Sequence, residues 1–175
     1  MRLSSLPAIA LLAAACSSSS LLPAVPAPQW DVVPAGVVDA LCSRLRADAV
    51  ASGTIAIVST TQPLATNESL GALGHATQKR ADAMRAAEAL RTGGKAIPLT
   101  IHQGSCDWQP LAAPSHQADQ LVVELSAPIP NPFANQESGM FARVSLAGDS
   151  ATWYWIPLGS RGGVWAVGNI MPLVM

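Results

Sequence analysis

The run Trp153-Tyr154-Trp155-Ile156 sets the strictest condition on the fold. Successive side chains of an extended strand point to opposite faces, so Trp153 and Trp155 share one face while Tyr154 and Ile156 share the other. Neither face is polar. A strand of this kind has to be covered on both sides, which places it inside a layered domain. Strand-like runs surround it at Gly139 to Leu146, Ala151 to Ile156 and Gly163 to Ile170. They are parted by Ala147-Gly148-Asp149-Ser150 and by Leu158-Gly159-Ser160-Arg161-Gly162, both rich in turn formers. The last third therefore reads as a C-terminal β-meander. Trp165 is expected to face a neighbour across the second hairpin, and the uncharged run from 163 to 175 reads as a buried terminal strand and tail.

Upstream the pattern is mixed. Val37, Val38, Leu41, Leu45 and Ala49 recur every three or four residues and predict a helix over about 35–50, with Cys42 beside its apolar face. Thr54 to Thr60, rich in β-branched residues and uncharged, predicts a strand. Ala76, Ala81, Met84, Ala87 and Leu90 predict a second helix from His75 to Arg91, stopped by Gly93-Gly94. Ile97 to Ile101 reads as another strand, with Pro98 arguing for an edge, and with the strand at 54–60 it predicts a right-handed β-α-β unit. Gln120 to Ser126 is a further strand. These elements add up to an α+β domain over residues 30–175, a mostly antiparallel sheet of five or six strands packed against two main helices.

Composition excludes several classes. Half of the 175 residues are hydrophobic and 12% are charged, so the chain has the apolar surface needed to offset its conformational entropy. Ten basic and eleven acidic residues leave a formal charge of −1, too weak a field to select nucleic acid as partner. The local exception is the predicted helix at 75–91, where Lys79, Arg80, Arg85 and Arg91 outnumber the acids. That face reads as solvated and paired along the helix, or as a contact for anionic lipid headgroups.

At the N-terminus Arg2 is followed by a short apolar stretch through Leu6, Ile9, Leu11 and Leu12, then by Ala13-Ala14-Ala15-Cys16. The stretch is too short to cross about 30 Å of hydrocarbon, and its small residues suit a signal peptidase. This segment resembles a bacterial lipoprotein signal peptide, although Leu12 stands one place earlier than that family's usual leucine. The resemblance implies that residues 1–15 are removed, that Cys16 becomes lipid-modified, and that residues 16–29, rich in Ser and Pro, form a tether on the membrane. Ser17 in place of Asp resembles lipoproteins sorted to the outer membrane. An ordinary secretory signal is the alternative, and either one exports the chain. The resemblance stops at the cysteine and does not reach the folded domain.

With Cys16 assigned to lipid, Cys42 and Cys106 remain in a chain destined for an oxidising compartment, and one disulfide is the economical reading. Closing a loop of about 65 residues is worth roughly 4 kcal/mol in the chain-entropy model. The alternative makes Cys106 a nucleophile served by His102.

Other chemistry is thinly supported. His75, His102 and His116 with Asp107 or Asp119 lack the short spacing of a metal site, so no metal is assigned. Ser115, His116 and Asp119 lie too close together in sequence to orient one another as a hydrolytic triad. Gly159 to Gly163 reads as a hairpin loop. No catalytic residue and no cofactor are therefore expected. The primary expectation is an exported, lipid-anchored envelope protein on the periplasmic side that binds a partner protein or helps assemble an envelope structure. One alternative is a carrier of a small apolar or aromatic ligand lined by Trp153, Trp155 or Trp165. The other is the thiol hydrolase on Cys106 and His102.

Overall fold

A computed structural model describes residues 31–48, 50, 54–64, 96–102, 106–115, 120–130, 138–146, 151–161 and 164–173. Helix α1, Gly36–Ala47, is followed by strands β1 (Ile55–Val58), β2 (Trp108–Leu111), β3 (Leu121–Leu125), β4 (Ile129–Pro130), β5 (Ser138–Leu146), β6 (Thr152–Arg161), β7 (Val164–Val167) and β8 (Met171–Leu173). All eight strands join one sheet in the order β2-β1-β3-β5-β6-β7, with β4 on β5 and β8 on β6. β1 runs parallel to both β2 and β3, and every other pairing is antiparallel.

This corrects the expected architecture. The molecule is mostly sheet, a curled mixed half-barrel, and the described residues hold one short helix where two main helices against a five- or six-stranded sheet were expected. The predicted helix at 75–91, with Lys79, Arg80, Arg85 and Arg91, lies outside the described residues. The expected strand at 97–101 is reduced to an isolated antiparallel bridge, Thr60 to Pro98, so it is not the parallel partner of β1. That place belongs to β2 and β3. Proline supplies no N–H at 98, and the segment is held instead by Leu99 N–H to the Ser59 carbonyl (2.8 Å) and Thr61 N–H to the Ile97 carbonyl (2.9 Å).

Two bulges bend the sheet. Leu125 lies opposite Ala142 and Ile129 opposite Gly139, so β3 and β4 form one strand with an extra residue at 126–128. Ser126 bridges the interruption: its N–H donates to the Phe141 carbonyl and its Oγ accepts from the Phe141 N–H, both at 2.9 Å. β7 and β8 repeat the device along β6, where Val167 faces Leu158 and Met171 faces Trp155. Gly168 N–H reaches the Pro157 carbonyl at 2.8 Å, so the position on β6 that lacks an N–H sits opposite the bulge.

Alternation then builds the core. Ile55, Ile57, Trp108, Val123, Leu125, Met140, Ala142, Val144, Tyr154, Ile156 and Leu158 point to one side, where Val37, Val38, Leu41 and Leu45 of α1 pack on them. Ala56, Val58, Val122, Phe141, Trp153 and Trp155 occupy the other side and are buried as well. The double covering required by the Trp153 to Ile156 run is present.

Candidate functional site

Among the described residues each side of the sheet carries a polar cluster, and the hairpin of β6 and β7 exposes Val164 and Trp165. On the helix side, the Tyr154 hydroxyl donates to Asp48 Oδ2 at 3.2 Å, and Arg44 Nε donates to the same oxygen at 2.9 Å. Asp48 is the C-cap of α1, so the contact ties the end of the helix to the middle of β6. Burial and the Asp48 charge push the Tyr154 phenol up to about 12. It stays a neutral donor through the physiological range.

On the other side Glu124, Arg143 and Trp153 lie in one row across β3, β5 and β6. Arg143 NH1 donates to Glu124 Oε2 at 2.7 Å, with both side chains largely buried. Pairing offsets the cost of withdrawing two charges from water, and each partner occupies the other. The Trp153 indole Nε1 beside them has no hydrogen-bond partner among the described residues. One row along, the rings of Phe141 and Trp155 meet at 4.9 Å, tilted by 58°. Trp155 also lies over Gly139, where a Cβ would overlap its ring and stand 2.7 Å from the Ile156 carbonyl oxygen.

The residues singled out by the sequence are dispersed. Cys42 and Cys106 are joined, with a Cα–Cα distance of 5.8 Å, and both are buried, fastening α1 to the approach of β2. Cys106 consequently offers no thiolate, and His102 is exposed. Asp107 accepts a hydrogen bond from Thr54 Oγ1 at 2.7 Å. Among the described residues no group of three or more His, Cys, Asp or Glu could hold a metal, and no helix is long and apolar enough to cross a membrane. Ser115 is exposed, and Cys16, His75, His116 and Asp119 lie outside the described residues.

Trp153 and Trp155 are completely buried and fill the side of the sheet away from α1. Trp165 lies opposite Ser160, two residues from Val167, on the helix side, and is 36% exposed. Trp165 therefore lies on the opposite side of the sheet from Trp153 and Trp155. The C-terminal run is less buried than its lack of charge suggests: Val164 is 71% and Met171 41% exposed. A short edge strand beside a glycine-rich turn leaves few neighbours to cover it. The sequence pattern pointed to a hairpin but put its loop at Leu158 to Gly162, where β6 in fact continues to Arg161, and it missed both the exposure of β7 and the Glu124 to Arg143 pair, whose only sign was one charge in each of two apolar runs. No protein-family model, curated protein or solved structure matches the chain.

Proposed function

We propose that the chain is an exported, lipid-anchored, non-enzymatic protein of the bacterial cell envelope. It is held on the periplasmic side of the outer membrane, and its domain binds a partner protein or helps assemble an envelope structure. The observation that carries this reading is the division of the three cysteines. Cys42 and Cys106 are joined inside the domain, a pairing that persists in oxidising compartments. Cys16 is then the one thiol left, and it follows the small residues at the end of the signal-like segment.

The test is expression of the full chain in a bacterium supplied with an alkyne-bearing fatty acid. The expected result is a labelled protein that sediments with membranes, and a Cys16→Ala variant that loses both properties. An unlabelled wild-type chain overturns the anchor. Amine cross-linking in intact cells tests the partner: an adduct of discrete mass that diminishes in Cys16→Ala is expected, and a wild-type chain recovered only as monomer overturns partner binding.

A further inference from the structure

Beyond Leu158 and Val167 the described side chains of the β6–β7 hairpin are exposed. A Cβ built on Gly159 meets nothing within 4 Å, and Gly159, Ser160, Val164, Trp165 and Ala166 are all exposed. Exposed residues lie on both faces of the ribbon there, whereas both faces are buried at Trp153 to Ile156. From Val164 to Leu173 the chain carries no charge. Surface of this kind marks an interaction site, and a tryptophan with an apolar body and a polar N–H suits the boundary between lipid and water.

The chain enters the domain beside this hairpin. Gly36, the first residue of α1, lies so close to β7 that a Cβ on it would stand 3.9 Å from Val167 Cγ2. Val33 and Val37 belong to the core cluster against which Val167 packs. Fifteen peptide steps separate Asp31 from Cys16. Fully extended, that many residues reach at most about 50 Å. The opposite end of the sheet, β2, is up to about 24 Å farther across five strand spacings. A lipid on Cys16 therefore brings the hairpin side of the domain to the bilayer first.

We infer that the tip of the β6–β7 hairpin is a membrane-docking element. On the reading that Cys16 carries lipid, Val164 and Trp165 enter the headgroup region of the bilayer that holds the anchor. Tethering raises the local concentration of the bilayer to the millimolar range, so a patch too small to bind membranes from solution docks once anchored.

The experiment uses the full-length protein, purified from bacterial membranes and reconstituted into phosphatidylcholine–phosphatidylglycerol vesicles with or without bromine on the acyl chains near the interface. Brominated lipid is expected to quench the emission component that Trp165→Phe removes, and Trp30→Phe is expected to leave that quenching in place. Val164→Asp is expected to reduce the quenching severalfold while the acyl mass on Cys16 and the near-ultraviolet dichroism stay unchanged. Unquenched Trp165 in a protein whose Cys16 carries acyl groups overturns the docking and leaves the anchor standing. Trp165 shielded from both bromolipid and aqueous acrylamide means that a protein covers it, and this also overturns the docking. Absence of acyl mass on Cys16 together with failure to bind vesicles overturns the anchoring on which the inference rests.

Discussion

At β2 the sheet ends in a strand whose register partner lies 53 residues earlier, Trp108 against Ile55, whereas at β7 it ends in a hairpin whose strands are parted by two residues. The first pairing is parallel and has to close a long loop before any contact is gained. Its end of the molecule is correspondingly reinforced. Cys106 is bonded to Cys42 of α1, Trp108 is buried under the helix, and polar clips join Thr54 to Asp107 and Gln120 Nε2 to Gln109 Oε1 (2.8 Å). Pro110 further removes one donor from the edge, which discourages pairing with another chain. The hairpin end closes locally, carries no staple among the described residues, and leaves apolar side chains in solvent. Covalent and buried reinforcement sits where loop closure is entropically expensive, and Val164 and Trp165 stay exposed where local pairing suffices.

The largest test of this contrast is the removal of the staple. Replacing Cys42 and Cys106 together by alanine is expected to lower stability by about 4 kcal/mol, read as a shift of the denaturant midpoint. Amide exchange should accelerate most in β1 and β2 and least in β5 and β6. Equal acceleration across the sheet would mean that its two ends open as one cooperative unit, and the contrast would fail.

Next in size is Gly139→Ala, which strikes the antiparallel region. The added methyl group overlaps the Trp155 ring and crowds the Ile156 carbonyl, and the expected cost is about 3 kcal/mol. In this variant β5 and β6 should lose protection while the disulfide end keeps it. A loss below about 1 kcal/mol would show that the Trp155 ring can move aside.

These two sites mark how far the sequence could be read. The spacing of Val37, Val38, Leu41 and Leu45 disclosed α1, and alternation disclosed β5 and β6, because each pattern is local and set by one buried side or two. Counting cysteines disclosed the staple. β2 escaped because Gln109 and Pro110 resemble loop, and the strand exists only through partners far away in sequence. The segment at 97–101 misled for the converse reason: it is apolar enough for a strand, but Pro98 lacks the donor a ladder requires. The bulges at 126–128 and 168–170 leave no periodic signal, although they bend the sheet. Composition showed that Trp165 is aromatic and near a turn. Whether anything covers it is a property of the assembled surface, which is why the docking element was not legible beforehand.

The contact between Tyr154 and Asp48 belongs to neither end, and it sharpens the comparison through pH. The folded phenol holds its proton to about 12 against 10 in the unfolded chain, so its contribution is complete below pH 10 and is lost as pH rises from 10 through 12. The loss is at most about 2.7 kcal/mol. Tyr154→Phe should abolish this alkaline step in a stability titration and cost about 1 kcal/mol at neutral pH, through the lost hydrogen bond alone. An unchanged alkaline step would assign it to another group.

The smallest expected change in stability lies at the hairpin tip, where function should respond most. Val164→Asp alters a side chain that is 71% exposed, and its effect on the denaturant midpoint should stay within about 0.5 kcal/mol. If Val164 served only to complete the fold, a larger loss would appear and the hairpin would have to be counted with the reinforced end. A neutral effect on stability together with weaker contact between the tip and anchored membranes would separate the two ends of the sheet by role: β2 holds the domain closed, and the hairpin beside the chain's entry point meets the surface to which the chain is tied.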